Sequence, residues 1–256
     1  MSKVMLLYKN VTPLSRDAHK DMKLKPSATV DFAAEAHWTP VAGSEFYQAS
    51  RVYPVVFMQE GTEADAPVMP IALLGLSAGH NDFVGKDGQW KKETYIPAFI
   101  RRYPFVLANT KENSEEFTIC FDDSFAGLNT KEGRELFNKD GTNSELLEEA
   151  IRFMNGFRVE MERTQKFVAL LKKYDLLEKR SADIRSASGV AFQVQDFLLV
   201  SEEKFSKLTG AQLAELHKEG FLGWIFAHLM SLGNLPGLLE LHLANKGPAA
   251  APAKGK

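Results

Sequence analysis

Gly75-Leu76-Ser77-Ala78-Gly79 carries the G-x-S-x-G spacing of a nucleophile elbow. Acyl transfer uses that pattern because the glycines allow a tight strand-to-helix turn that exposes a serine. The apolar run Met69 to Leu76 suits the strand before it, but His80 to Trp90 has loop and hairpin character rather than helix. The plainer expectation is a glycine-bearing loop, with a hydrolase serine as the rival. His80-Asn81-Asp82 has the H-x-D spacing that supplies two of three facial iron ligands in β-barrel oxygenases. The third would have to be His217, His228 or His242, all in the helical half, so polar turn residues are the simpler expectation. His228 lies in an apolar stretch, where a hydrogen-bonded core histidine is expected ahead of a ligand-binding one. His217 and His242 are expected on helix surfaces.

The densest group of aromatic, proline and arginine residues runs from Leu74 to Ser124. Arg101-Arg102 beside Tyr103 and Phe105 could clamp a carboxylate, because a guanidinium fork binds it bidentately and aromatic rings shape a pocket. Trp90 and Tyr95 extend the candidate ligand site, with His228 as a more distant member. The competing expectation pairs the arginines with Asp122 or Asp123 at the flank of a sheet. Cys120 excludes an intrachain disulfide, and its place in an alternating strand predicts a buried thiol. No Walker loop, G-x-G-x-x-G, H-E-x-x-H or paired C-x-x-C is present. No catalytic centre and no cofactor follow from these residues. They point to a soluble accessory or binding protein for a peptide, a small acidic metabolite or a protein partner.

Behind these residues stands an α+β pattern, a β-rich N-terminal half packed against a C-terminal helical half with one further strand region. Strands are expected at Val52 to Met58, Met69 to Leu76, Arg102 to Ala108 and Glu116 to Phe121, with a short helix at Tyr95 to Arg101. Thr142 and Glu145 form a capping-box pattern that opens the clearest helix, to about residue 174. Its apolar stripe includes Leu147, Met154, Phe157, Met161, Val168 and Leu171, while Arg158 is expected on the wet side. Gly156 marks a bend or break. Ser181 to Gly189 is expected as a polar loop, Val190 to Val200 as a strand bent near Gln195, and Phe221 to Leu232 as a buried helix. Residues 1–40 suggest an arm with little regular structure, 41–245 one domain, and 246–256 a disordered tail.

Net charge is −2, so no overall basic field attracts nucleic acid. The apolar run at Val4 to Tyr8 is too short for a signal peptide, and Phe221 to Leu235 falls short of a bilayer span, so a cytoplasmic protein is expected. Oligomeric state is open.

Several stretches together resemble the bacterial SapC-like family. They are Asn81 to Val84, Gly88-x-Trp90, Tyr95-Ile96-Pro97, Arg102-Tyr103-Pro104-Phe105, Leu136-Phe137 with Gly141, Thr164 with Phe167, and Gly220-Phe221 through Leu232. The resemblance covers roughly residues 30–235. It implies a link to surface-layer proteins, or an accessory role beside flavin-dependent halogenase-like and cupin-like proteins and outer-membrane receptors. Some members are called peptide-transporter permeases, which conflicts with the lack of a spanning segment. The resemblance assigns no catalytic residue. The alternatives are a non-haem iron enzyme using His80 and Asp82, or a surface-layer structural component.

Overall fold

The computed structural model describes residues 6–246, apart from 28, 62, 64, 65 and 110–116. The disordered tail expected at 246–256 lies almost wholly outside the described residues. The first strands are β1 (Val11–Pro13), β2 (Lys23–Leu24), β3 (Trp38–Pro40), β4 (Val55–Gln59) and β5 (Val68–Leu73). Then come β6 (Phe105–Asn109), β7 (Phe117–Asp122), β8 (Leu128–Asn129), β9 (Arg134–Glu135), β10 (Leu177–Arg185) and β11 (Ala191–Val200). The helices are α1 (Arg16–His19), α2 (Phe46–Ala49), α3 (Ala98–Arg101), α4 (Glu145–Lys173), α5 (Glu202–Ser206), α6 (Gly210–Lys218), α7 (Leu222–Ser231) and α8 (Leu235–Lys246). Strands dominate before α4 and helices after it, so the fold is α+β.

Three antiparallel sheets form, in the orders β10-β11-β4-β5-β3, β1-β7-β6 and β8-β2-β9. Val55, Val56 and Phe57 of β4 are all buried, so both faces of this strand are covered. The described residues between 6 and 40 do not stand apart as an arm with little regular structure. Their strands enter all three sheets, and Leu7 and Tyr8 sit in the core. The expected loop at 181–189 is instead the end of β10 and the turn into β11. This long hairpin carries a register shift between Arg180 and Ala182, with Asp196 at a φ of 60° on the other strand.

Helix α4 begins at Ser144, whose hydroxyl accepts from the Leu147 N–H, not at the Thr142 pattern. It runs 29 residues, straight through Gly156. Leu147 and Met154 pack into a small core with Phe105, Phe121, Leu136 and Phe137, while Phe167, Val168 and Leu171 enter the main core. Leu222–Asn245, nearly all of α7 and α8, is long and apolar enough by length and composition to cross a membrane. That exceeds the expectation from sequence. However, Trp224, Ile225, Leu238 and Leu239 are buried in the main core, as in a core helix of a folded body.

Candidate functional site

The site starts at a buried carboxylate. Glu45 is 7% exposed. Its Oε2 accepts from the Ala42 N–H at 2.9 Å, and its Oε1 accepts from the Tyr95 hydroxyl and the Ala98 N–H, both at 2.7 Å. The Ala98 contact holds the N-terminal end of α3. One turn later α3 delivers Arg102, its C-terminal cap, to a pocket between α4 and the β5–β6–β7 strands. This pocket of about 200 Å³ is mostly apolar, with Phe99, Met154, Phe157 and Met161 among its walls. Two guanidinium groups, Arg102 and Arg158, also line it.

Arg102 has no carboxylate partner among the described residues. Its Cζ lies 4.0 Å from the Phe99 ring centroid, 5.4 Å from that of Phe157 and 5.6 Å from that of Tyr8. Its Nε is buried without a hydrogen bond. Burial pushes its pKa down, only partly countered by the charge and hydrogen bond of the Tyr8 phenol. That phenol donates its own proton to the Phe105 carbonyl at 2.8 Å, so its oxygen is free to accept. The expected pairing with Asp122 does not form. Asp122 is filled by the backbone N–H groups of Lys9, Asn10 and Ser124 and by the hydroxyls of Ser124 and Tyr103. Burial raises its pKa, but the Ser124 and backbone hydrogen bonds outweigh that and hold it low. Arg158 pairs through one Nη with Glu162 and lies 4.8 Å from the Phe117 ring, yet its Nε is buried and unbonded.

The other candidate residues do not converge on this pocket. Trp90 is buried and stacks on Phe83, with ring centroids 6.1 Å apart. Tyr95 is committed to Glu45, and Arg101 is exposed, donating to the Ile96 carbonyl and the Tyr95 hydroxyl. Tyr103 stacks on Phe32 at 4.0 Å on another face, and Phe105 belongs to the small core. His228 is fully buried. Its Nδ1–H donates to the Val55 carbonyl at 2.7 Å, and its Nε2 accepts from the Val200 N–H at 3.0 Å. Burial lowers its pKa to about 4, opposed by the Val55 hydrogen bond.

A second cluster joins Ser77 to His80, Asp82 and His242, the last being one of the three histidines considered as a partner for the H-x-D pair. His242 of α8 is 2% exposed rather than on the surface, and its Nδ1 lies 2.7 Å from Asp82 Oδ2. Its Nε2 lies 3.1 Å from Ser77 Oγ. His80 Nε2 comes within 3.1 Å of Asp82 Oδ1 without the alignment of a hydrogen bond. His80, Asp82 and His242 each present a ligand atom within 4.8 Å of the others, so among the described residues these three could hold a metal ion. No helix follows Ser77, as expected, and its φ is not in the left-handed region.

A family model named SapC matches residues 14–238. No curated protein and no solved structure matches the chain.

Proposed function

The chain belongs to the SapC family, and on that premise we propose that it is a binding protein for an amphipathic acid, held in the Arg102 pocket. One observation carries this reading: a half-buried arginine, its Nε buried and unbonded and with no carboxylate partner among the described residues, lines an apolar pocket. A cation taken from water costs free energy unless an anion answers it. A ligand carboxylate beside Arg102 and Arg158 would supply that anion, and its apolar chain would lie against Phe99, Phe157 and the two methionines. Thioether side chains adapt to varied tails. A fatty acid and the C-terminus of a hydrophobic peptide share this chemistry.

Titration calorimetry with decanoate, decanol and a short peptide ending in leucine tests it. Decanoate or the peptide should bind at least tenfold more tightly than decanol, about 1.4 kcal/mol. Arg102→Met should remove that preference while the circular dichroism spectrum stays unchanged. Equal binding of decanoate and decanol, or an unaffected Arg102→Met variant, would sink the reading.

A further inference from the structure

We propose that Ser77, His242 and Asp82 form a nucleophile, base and orienting acid for hydrolysis of small esters, at a site separate from the Arg102 pocket. The hydrogen bonds run in the order such chemistry needs. Asp82 is buried, and Asn245 fixes it by donating to its carbonyl at 2.9 Å and to its Oδ1 at 3.1 Å. That leaves Oδ2 for the Nδ1–H of His242 at 2.7 Å. A proton on Nδ1 makes Nε2 of the neutral ring an acceptor. The group placed at Nε2 is the Ser77 hydroxyl, at 3.1 Å. Three residue types, two ring nitrogens and two distances therefore agree with one role each.

The surroundings supply the remaining parts. Ser77 is only partly buried, on a turn closed by the His80 N–H donating to the Ser77 carbonyl at 3.2 Å. Ala78 and Gly79 at its tip are exposed, so their N–H groups lie at the surface beside the hydroxyl. The N–H following a nucleophile is the usual oxyanion donor. Gly79 has a φ of +74°, and a Cβ there would meet nothing within 4 Å, so the turn has open space beside it. An apolar groove of about 330 Å³ includes Trp38, Leu76, Ala78 and Phe192 in its walls. The Phe192 ring also lies 6.0 Å from the His242 ring, so groove and triad adjoin. The substrate class is an uncharged ester with a short apolar acyl or alcohol part.

In the reaction, Ser77 Oγ attacks the ester carbonyl carbon and its proton passes to His242 Nε2. The bond from that carbon to the alcohol oxygen breaks, and the alcohol leaves with the proton. Water then attacks the acyl-serine, giving a proton to Nε2. The acid departs as Ser77 Oγ takes that proton back. One ester and one water become one acid and one alcohol. Asp82 touches only the base and is a positioning residue.

The test uses the full chain, a fluorophosphonate probe and p-nitrophenyl acetate and butyrate. Mass spectrometry should place the phosphonate on Ser77. Ser77→Ala should abolish labelling and lower the ester rate at least a hundredfold above background. Ser77→Cys, nearly isosteric on a partly exposed turn, keeps the test valid if variants at buried His242 fail to fold. Its thiol should react with iodoacetamide at least tenfold faster than free cysteine. Absence of both phosphonate labelling and enhanced thiol reactivity would overturn the proposal. So would near-stoichiometric iron or zinc in protein purified without added metal and lost in His80→Ala, because a metal on Asp82 and His242 would occupy the base.

Discussion

A guanidinium withdrawn from water ordinarily sits against a carboxylate, but Arg102 sits against three rings, those of Phe99, Phe157 and the Tyr8 phenol. A side chain kept for a ligand at a cost in stability behaves differently under mutation from one kept for the fold. Arg102→Met preserves the apolar stem and removes the desolvated charge. The ligand-free variant is expected to be more stable by about 1 kcal/mol, since replacing unpaired buried charge with packed apolar groups is often stabilising. Urea unfolding checks it, and a loss above about 1 kcal/mol would make the cation–π stack structural. Arg102 stood out in the sequence, but the filling of Asp122 by Lys9, Asn10 and Ser124 is tertiary and leaves no local mark. Arg158 did leave one. Met154, Arg158, Met161, Gln165 and Val168 follow one another at steps of four and three, which puts the arginine on the pocket stripe rather than the wet side. His242 was one of three candidate partners for His80 and Asp82 but was expected on a helix surface, because charge and spacing within α8 do not reveal Asp82, a residue 160 positions away.

Among the elements, α4 was the most legible, because its stripe of apolar residues has one helical period over its whole length. The expected break at Gly156 does not occur, since packing at both ends outweighs one glycine. A Cβ on Gly156 would meet nothing within 4 Å. Gly156→Ala should therefore raise stability by about 1 kcal/mol, the propensity difference between the two residues in a helix. Gly43 predicts the opposite sign. A Cβ there would lie 2.1 Å from the Trp224 ring, which is wedged among Phe46, Phe167 and Phe221 and cannot retreat. Gly43→Ala should cost roughly 1–3 kcal/mol through overpacking. Denaturation midpoints of the two variants, measured side by side, check both signs. The β10 strand was not legible from residue 181 onward. Ala182 and Ile184 do turn into the main core while Ser181, Asp183 and Arg185 stay exposed, but two apolar residues among polar ones, ahead of the turn at Gly189, carry too short an alternation to stand out from a loop.

The whole molecule is held together by contacts that cross from the helical half to the sheet. The α+β division was visible in the order of strand and helix patterns, whereas the entry of the first forty residues into three sheets was not, because their strands are two or three residues long. His228 is the most telling of the crossing contacts, since one ring joins α7 to β4 and to β11. Its Nε2 must stay unprotonated to accept from Val200, and burial keeps its pKa near 4 against an ordinary value of 6.5. The unfolded chain therefore takes up a proton below about pH 6.5 that the folded chain refuses until about pH 4, so stability falls as pH drops through that window. From pH 7 to pH 5 this group alone should remove about 2 kcal/mol, taking 1.36 kcal/mol per pKa unit. His228→Gln can keep a donor and an acceptor but cannot titrate. It should be less stable than the parent at pH 7 and lose about 2 kcal/mol less on going to pH 5. Urea unfolding of both proteins at the two pH values isolates the term, because the other titrating groups cancel in the comparison. An equal loss in parent and variant would mean that the acid sensitivity of the molecule lies elsewhere than in this link between its halves.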